Sequence, residues 1–454
     1  MSNLCPLDYR YGRKDMKEIW YEESRLQFQM DVEAALARAH ASLGTVTAED
    51  AKEITRVANL SVTKIERVKE IEAETRHDVM AMVKAMTEQC RGDAGKFVHY
   101  GSTSNDIVDT ATALQLKASL EIIQKDVDSF IVTLAKLAKN ERDTIEVGRT
   151  HAQFAIPITF GFKIAGYVQE MLRHRERLEQ IKPRVCAGKM AGAVGTGAAL
   201  GKNFFKVQEA VMNDLGLTYE PAATQVVGRD RYSELICLLA NIATSLERYG
   251  TEIRNLQRSE ISEAAEPFDR KKQVGSSTMA QKRNPMMSEN VCGLARIVRS
   301  MVTPMFESQV LWHERDLSNS SAERFILPHT FTLLDEMFGK MEKVFAGLEV
   351  RRENMIRNIE SSHGLIMAES LMMKMTEKGI GRQDAHEIVR SSSMIAEDED
   401  RQLRDVLLER DDLRGLMTEE EIRAAMDPSN YTGGAGEIVD KTVAEVEAKL
   451  KVRI

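Results

Sequence analysis

The chain is short of what marks a β-rich, membrane-embedded or disulfide-stapled protein. Only 6% of its 454 residues are aromatic and only nine are proline. Aromatic cross-strand pairs fill many sheet cores, and proline breaks long helices, so both scarcities favour helices. The 24 methionines suit cores packed through Leu, Ile, Ala and Met. No apolar run approaches the roughly 20 residues of a membrane span. Neither charge sign dominates. The 62 basic and 70 acidic residues leave a net charge of -8 and are interspersed, so no basic face for nucleic acid stands out. Five cysteines (Cys5, Cys90, Cys186, Cys237, Cys292) are scattered and odd in number. That excludes a disulfide framework and predicts reduced, mostly buried thiols in a cytoplasmic protein. Met1 to Trp20 carries Asp8, Arg10, Arg13, Lys14 and Asp15 and has no signal-peptide core. There is no P-loop and no dinucleotide fingerprint, and no His/Cys/carboxylate set has zinc spacing. No metal and no cofactor is expected. The glycine-rich run Gly188 to Gly197 lies between helical segments and reads as a flexible connection.

What is present is helical periodicity. Leu116, Leu120, Ile123, Val127, Phe130, Leu134 and Leu137 alternate spacings of four and three, as do Leu235, Leu239, Ile242, Leu246, Tyr249, Ile253 and Leu256. This lays an apolar stripe along one helix face, the pattern of bundles and coiled coils. Further amphipathic segments run at 161–180, 288–302 and 330–350. Shorter helical stretches are expected at 15–43, 62–90, 364–377 and 382–397, with a turn at Asp427 to Gly434. The expected architecture is all-α, with three helical domains: an N-terminal one over 1–105, a long central helix bundle over 106–360 and a C-terminal one over 361–454. Stripes on more than one face predict a homo-oligomer, although packing within one chain would use them equally well.

Four segments carry chemistry. Val274 to Asn290 lacks periodicity; its Gly275, Ser276 and Ser277 precede Lys282, Arg283 and Asn284. Backbone N–H groups, hydroxyls and cations together suit a carboxylate-rich ligand, but composition alone leaves an ordinary solvated loop slightly favoured. Arg149-Thr150-His151-Ala152-Gln153 sets a histidine among polar residues ahead of Pro157 and a helix start near Gly161, where an anion could be held. An isolated histidine is more often structural. His99-Tyr100-Gly101-Ser102-Thr103-Ser104-Asn105-Asp106 supplies small polar side chains ahead of the first bundle helix, for capping, anion binding or both. His313 to Arg324 combines two arginines with several serines, which suits a phosphate or a salt-bridged surface turn. Smaller pieces are Arg10-Tyr11, Arg76-His77-Asp78, Gln225 and Arg229-Asp230-Arg231.

Taken in order, the Gly-Ser-Ser-x-Met-x-x-Lys-x-Asn loop, the Arg-Thr-His-x-Gln segment and the His-x-Gly-x-Thr-Ser segment resemble the three shared regions of the fumarase/aspartase superfamily. The Arg10-Tyr11, Arg76 to Asp78, Arg229 to Arg231 and His313 to Arg324 pieces look like its adenylosuccinate lyase family, over nearly the whole chain. The chain departs from the usual pattern at Gly12, Asn105, Ala152, Phe154 and Ala280. The resemblance implies β-elimination of fumarate from a succinylated purine nucleotide, with Ser276 as base and His151 as acid for the leaving nitrogen. Glu289 would hold His151 charged. Thr103, Ser104, Ser277, Lys282 and Asn284 would hold the succinyl carboxylates. Arg10, Tyr11, Arg315, Ser320 and Arg324 would hold phosphate and ribose. Arg76, His77, Asp78, His99, Gln225, Arg283, Asn290 and Ser321 would complete the pocket. It further implies a homotetramer whose sites are shared between subunits, acting on a small-molecule nucleotide, with neither nucleic acid nor membrane as partner. Argininosuccinate lyase and the cycloisomerase relatives share the loop but differ at Arg10-Tyr11 and Arg315 to Arg324. A helical scaffold without catalysis would have lost the motif side chains, and here they are all present.

Overall fold

The computed structural model describes residues 4–269 and 271–454. Helices dominate: α1 (Lys14–Trp20), α2 (Glu22–Ser42), α3 (Ile65–Thr75), α4 (Asp78–Gln89) and then the long α5 (Ser104–Asn140). A two-stranded hairpin follows, β1 (Ile145–Thr150) and β2 (Gln153–Thr159). After it come α6 (Phe160–Val185), α7 (Asp230–Leu256), α8 (Met286–Ser300) and α9 (Ser318–Ala346). The C-terminal part holds α10 (Ala368–Glu377), α11 (Arg382–Asp398) and α12 (Ala435–Leu450). Every residue of the two expected stripes is buried, so the 3–4 spacing does mark the inward faces of α5 and α7.

The chain divides into two compact units. Unit 1 comprises 1–127, 174–246 and 293–339; unit 2 comprises 128–173, 247–292 and 340–454. Each takes a segment of α5, α6, α7, α8 and α9.

In unit 1, Arg13 bridges Asp126 on α5 and Asp335 on α9, while His174 on α6 meets Ser245 on α7 at 2.9 Å. In unit 2, Phe130, Tyr167, Tyr249 and Phe345 form an aromatic cluster joining α5, α6, α7 and α9. Its closest pair is Tyr167–Tyr249, stacked with centroids 4.2 Å apart. Such pairs add about 0.5–1.5 kcal/mol each beyond the area they bury. Also within unit 2, α10 and α11 enclose a separate small core that includes Leu371, Met375, Val389, Leu403 and Ile422.

Three local expectations change. The 62–90 stretch is two helices, because Arg76 takes a left-handed φ of 56° and His77, extended, caps α4 by accepting the Met80 N–H on Nδ1. The 15–43 stretch likewise breaks at extended Tyr21. The glycine-rich connection is not loose: Lys189 to Gly192 is buried and pinned. Within that run Gly195 has φ +91°, and a Cβ there would lie 1.9 Å from the Ala223 carbonyl, so only glycine fits.

Candidate active site

The site residues expected from the sequence fall into two groups, one in each unit. In unit 1 a cavity of about 880 Å³ is lined by Arg76, His77, Asp78, Thr103, Ser104, Gln225, Arg315, Ser320 and Arg324. Arg10, Tyr11, His99 and Ser321 belong to the same unit but do not line this cavity.

Two lining residues, Thr103 and Arg229, are held from behind by buried carboxylates of α5, Asp106 and Asp109, which form the cavity's floor. Asp106 and Asp109, three residues apart, share one helix face. Asp106 accepts from Lys189 Nζ, from the Ala191 N–H at 2.9 Å, from the Gly192 N–H at 3.0 Å and from the Thr103 N–H at 2.8 Å. The last contact resembles a capping box: the third helical residue reaches back to the residue before the helix. It leaves the Thr103 and Ser104 hydroxyls unengaged by any protein hydrogen bond among the described residues. Asp109 takes a forked pair of bonds from Arg229 at 2.7 and 2.9 Å. Arg229 also donates to Glu323 at 2.8 and 3.1 Å, and Glu323 accepts from Asn319 at 2.8 Å. Burial opposes the Arg229 charge, yet the two carboxylates raise its pKa well above the ordinary value. Both Lys189 and Asp106 are fully buried. A buried pair of this kind does little for net stability but strongly penalises loss of one partner.

Gln225 ties this floor to the wall. Its Oε1 accepts from Asn105 at 3.3 Å and from Arg315 at 3.0 Å, and its Nε2 donates to the Ala193 carbonyl at 3.1 Å. Asn105, one of the departures from the usual pattern, therefore has a partner that uses its amide. Asp316 caps α9 by accepting from Ser318 N–H at 2.8 Å. That sets Ser320 and Arg324, four residues apart, on one helix face. Because His77 Nδ1 accepts the capping bond, its proton sits on Nε2. His99 is held elsewhere: its ring Nδ1 lies 2.6 Å from the fully buried Glu33, which also accepts its N–H at 3.0 Å. Burial lowers the His99 pKa, but the Glu33 carboxylate outweighs it and the net shift is upward.

The cavity also contains groups the sequence reading missed, among them Trp20, Glu22, Arg25, Glu72 and Asn319, and it contains Arg229 from the Arg229 to Arg231 piece. The indole Nε1 of Trp20 and Nε of Arg315 are buried donors without a protein acceptor among the described residues. Unmet buried donors are costly, and a ligand rich in acceptors would satisfy them.

In unit 2 the expected catalytic groups sit on a hairpin tip (His151), a loop (Ser276) and the first turn of α8 (Glu289). His151 and Ala152 form the two-residue tip of the β1–β2 hairpin, with φ of 54° and 61° and Thr150 paired to Gln153. Positive φ at both positions is what a type I′ turn requires. The helix expected near Gly161 begins at Phe160, and strand β2 separates it from His151. The hairpin stem is anchored by Arg149, which forks onto the fully buried Glu263 at 2.8 and 2.7 Å and lies over the Phe154 ring at 5.4 Å. Phe154, another departure from pattern, therefore packs against the anchor.

The loop ahead of α8 is closed at its base. Asn284 Nδ2 donates to the Gly275 carbonyl at 3.1 Å, and Gln257 donates to the Arg283 carbonyl at 2.9 Å. A Cβ on Gly275 would lie 2.1 Å from the Lys282 carbonyl. Glu266 caps α8 through the N–H groups of Met287 at 3.1 Å and Ser288 at 2.6 Å. Within the loop, Ser276 Oγ accepts N–H bonds from Thr278 at 3.3 Å and Met279 at 3.1 Å. Ser277, Lys282 and Glu289 are exposed, and Arg283 and Asn290 are half-buried. Among the described residues no hydrogen bond or ion pair joins Glu289 to His151. Glu289 lies in the first turn of α8, where a carboxylate favours the helix dipole in any case.

Comparison with known proteins adds what one chain's geometry does not. Residues 9–300 match the lyase family model, and residues 364–442 match the adenylosuccinate lyase C-terminus. The chain is 52% identical to an adenylosuccinate lyase from Pyrococcus abyssi, over 97% of this chain and 98% of that protein. It is 47% identical to one from Methanothermobacter thermautotrophicus, over 97% and 98%. Among solved structures it is similar to a fumarate lyase from Mesorhizobium sp. BNC1, with a TM-score of 0.88, 33% identity and coverage of 95% and 98%. It is also similar to 3-carboxy-cis,cis-muconate lactonizing enzyme from Pseudomonas putida, with a TM-score of 0.89, 32% identity and coverage of 97% and 99%.

Proposed function

This chain belongs to the adenylosuccinate lyase family, and on that footing we propose that it releases fumarate from adenylosuccinate, leaving AMP, and makes the same cut in the succinylated aminoimidazole carboxamide ribotide of purine synthesis. The observation that carries this is the likeness to adenylosuccinate lyases across 97% of the chain.

Both reactions remove a proton from carbon beside a carboxylate and expel an amine. They need a base, an acid for the nitrogen, and cations or N–H groups where carboxylate charge grows. Ser276 is the base in this reading. A serine hydroxyl is a poor base unless its deprotonated form is favoured, and two backbone N–H groups aimed at its Oγ do that. This supports Ser276 over its neighbour Ser277. His151 delivers the proton to the leaving nitrogen; its place at a hairpin tip, clear of its own strand, suits a group that must reach a substrate. Glu289 is the carboxylate this reading pairs with it. Lys282, Ser277, Asn284, Thr103 and Ser104 hold the succinyl carboxylates. Arg315, Ser320 and Arg324 hold phosphate and ribose together with Arg10 and Tyr11.

The enzyme in this reading is a cytoplasmic homotetramer whose sites draw on more than one copy of the chain. The exposed apolar side chains Phe306, Val310 and Trp312 support association.

The test is direct. Purified protein is given adenylosuccinate, argininosuccinate or 3-carboxy-cis,cis-muconate, and fumarate or lactone formation is followed by absorbance. Fumarate from adenylosuccinate alone is expected. Turnover of either other compound with none of adenylosuccinate overturns the assignment.

A further inference from the structure

We propose that Arg25, which no motif singled out, binds the substrate's phosphate together with Arg324, and that Asp78 is the internal counter-ion this phosphate displaces. The inference rests on the nucleotide reading above and names a residue that reading does not use.

Arg25 is the fourth residue of α2 and lines the unit 1 cavity, with a side chain 31% exposed. Its guanidinium lies 3.6 Å from Asp78 Oδ2, the same oxygen that accepts from Arg324 at 3.2 Å. Two guanidiniums thus converge on one carboxylate oxygen, so the cluster carries two positive charges against one negative. Burial and the nearby Arg324 both push the Arg25 pKa down from its ordinary value, the signature of a cation with too little counter-charge. Arg229, which also lines the cavity, has its own counter-ions in Asp109 and Glu323. The Trp20 indole N–H, just before α2, is a further buried donor without an acceptor among the described residues.

A phosphate monoester brings close to two negative charges and three acceptor oxygens, enough to face both guanidiniums at once. A single carboxylate oxygen, as Asp78 already offers, leaves most of their donors unused. Planar guanidiniums are the side chains best shaped for this task.

The experiment compares AMP with adenosine, which lacks only the phosphate, by calorimetric titration of the full-length protein. Binding is measured for wild type, Arg25→Met and Arg25→Lys, with melting curves for each. Arg25→Met should weaken AMP at least tenfold and change adenosine less than twofold. Arg25→Lys should recover part of the AMP affinity, and inorganic phosphate should compete with AMP in wild type but much less in Arg25→Met. Equal losses for AMP and adenosine indicate a packing role and overturn the proposal, as does unchanged AMP binding. Should Arg25→Met fail to fold, Arg25→Lys decides: it must weaken AMP more than adenosine. Wild type that binds neither ligand overturns the nucleotide reading itself, whereas intact AMP preference in Arg25→Met overturns only the role of Arg25.

Discussion

The two units present their functional side chains in opposite ways. In unit 1 the cavity is backed by buried ion pairs: Lys189–Asp106 is fully buried, and Arg229 is held by buried Asp109 and half-buried Glu323, which leaves little for the backbone to rearrange. In unit 2 half-buried Ser276 and exposed His151 ride on a loop and a hairpin tip whose bases are tied down. The difference follows the chemistry each part would do. Recognising a charged nucleotide rewards donors fixed before the ligand arrives, since their ordering cost is then met on folding. Moving protons on and off carbon rewards groups that close over the substrate and exclude water at that moment.

The comparison can be broken in several ways. Ser276→Ala should reduce turnover of adenylosuccinate roughly 1000-fold with a small change in KM and an unaltered melting curve; near-normal turnover would move the base elsewhere. Arg229→Met leaves Asp109 and Glu323 unpaired and should lower unfolding stability by about 3–5 kcal/mol. Lys282→Met on the exposed loop should change stability by less than about 0.5 kcal/mol while still lowering turnover. Equal stability losses in the two variants would erase the contrast between buried floor and exposed loop.

One buried carboxylate of unit 2 is less well matched than the ion pairs beneath the unit 1 cavity. Glu146 on β1 is fully buried, and its pKa is pushed up to about 7 by burial, although Lys163 Nζ lies 3.2 Å away. Its folded pKa lies above the ordinary 4.5, so the folded form binds the proton more tightly. Its contribution to stability is therefore complete below pH 4.5 and is lost as pH rises through about 7. The slope should reach at most about 1.4 kcal/mol per pH unit. Glu146→Gln should flatten that dependence in denaturant titrations between these limits; an unchanged slope would assign it to other groups. The smallest effect is expected at the hairpin tip. Ala152→Gly removes a left-handed alanine and should stabilise the protein by roughly 1 kcal/mol, measured by thermal unfolding with turnover retained.

Much of the helical frame was legible because burial on a helix leaves a period. Leu116 through Leu137 and Leu235 through Leu256 were placed correctly, and α10 and α11 match the helices expected near 364–377 and 382–397. The β1–β2 hairpin was not, although Ile145 and Val147 alternate with Glu146 and Gly148 over its first strand. Its turn is Thr-His-Ala-Gln, without the Asn-Gly or Asp-Gly that announces a type I′ turn. The glycine-rich run misled for a related reason. Glycines serve loose linkers and tight buried turns alike, and what separates them here is Asp106, more than 80 positions away in sequence.

Local composition by itself determined the long helices, the polar Gly275 to Asn284 segment and the motif order that implies a lyase, since periodicity and short spacings are local properties. Only the tertiary structure decided which charges are buried, that His99 answers to Glu33, that Ser276 Oγ receives two N–H groups, and that Arg25 meets Asp78 and Arg324. Those pairings join residues up to 299 positions apart, and desolvation, which sets their strength, is a property of the packed interior and has no signature along the chain.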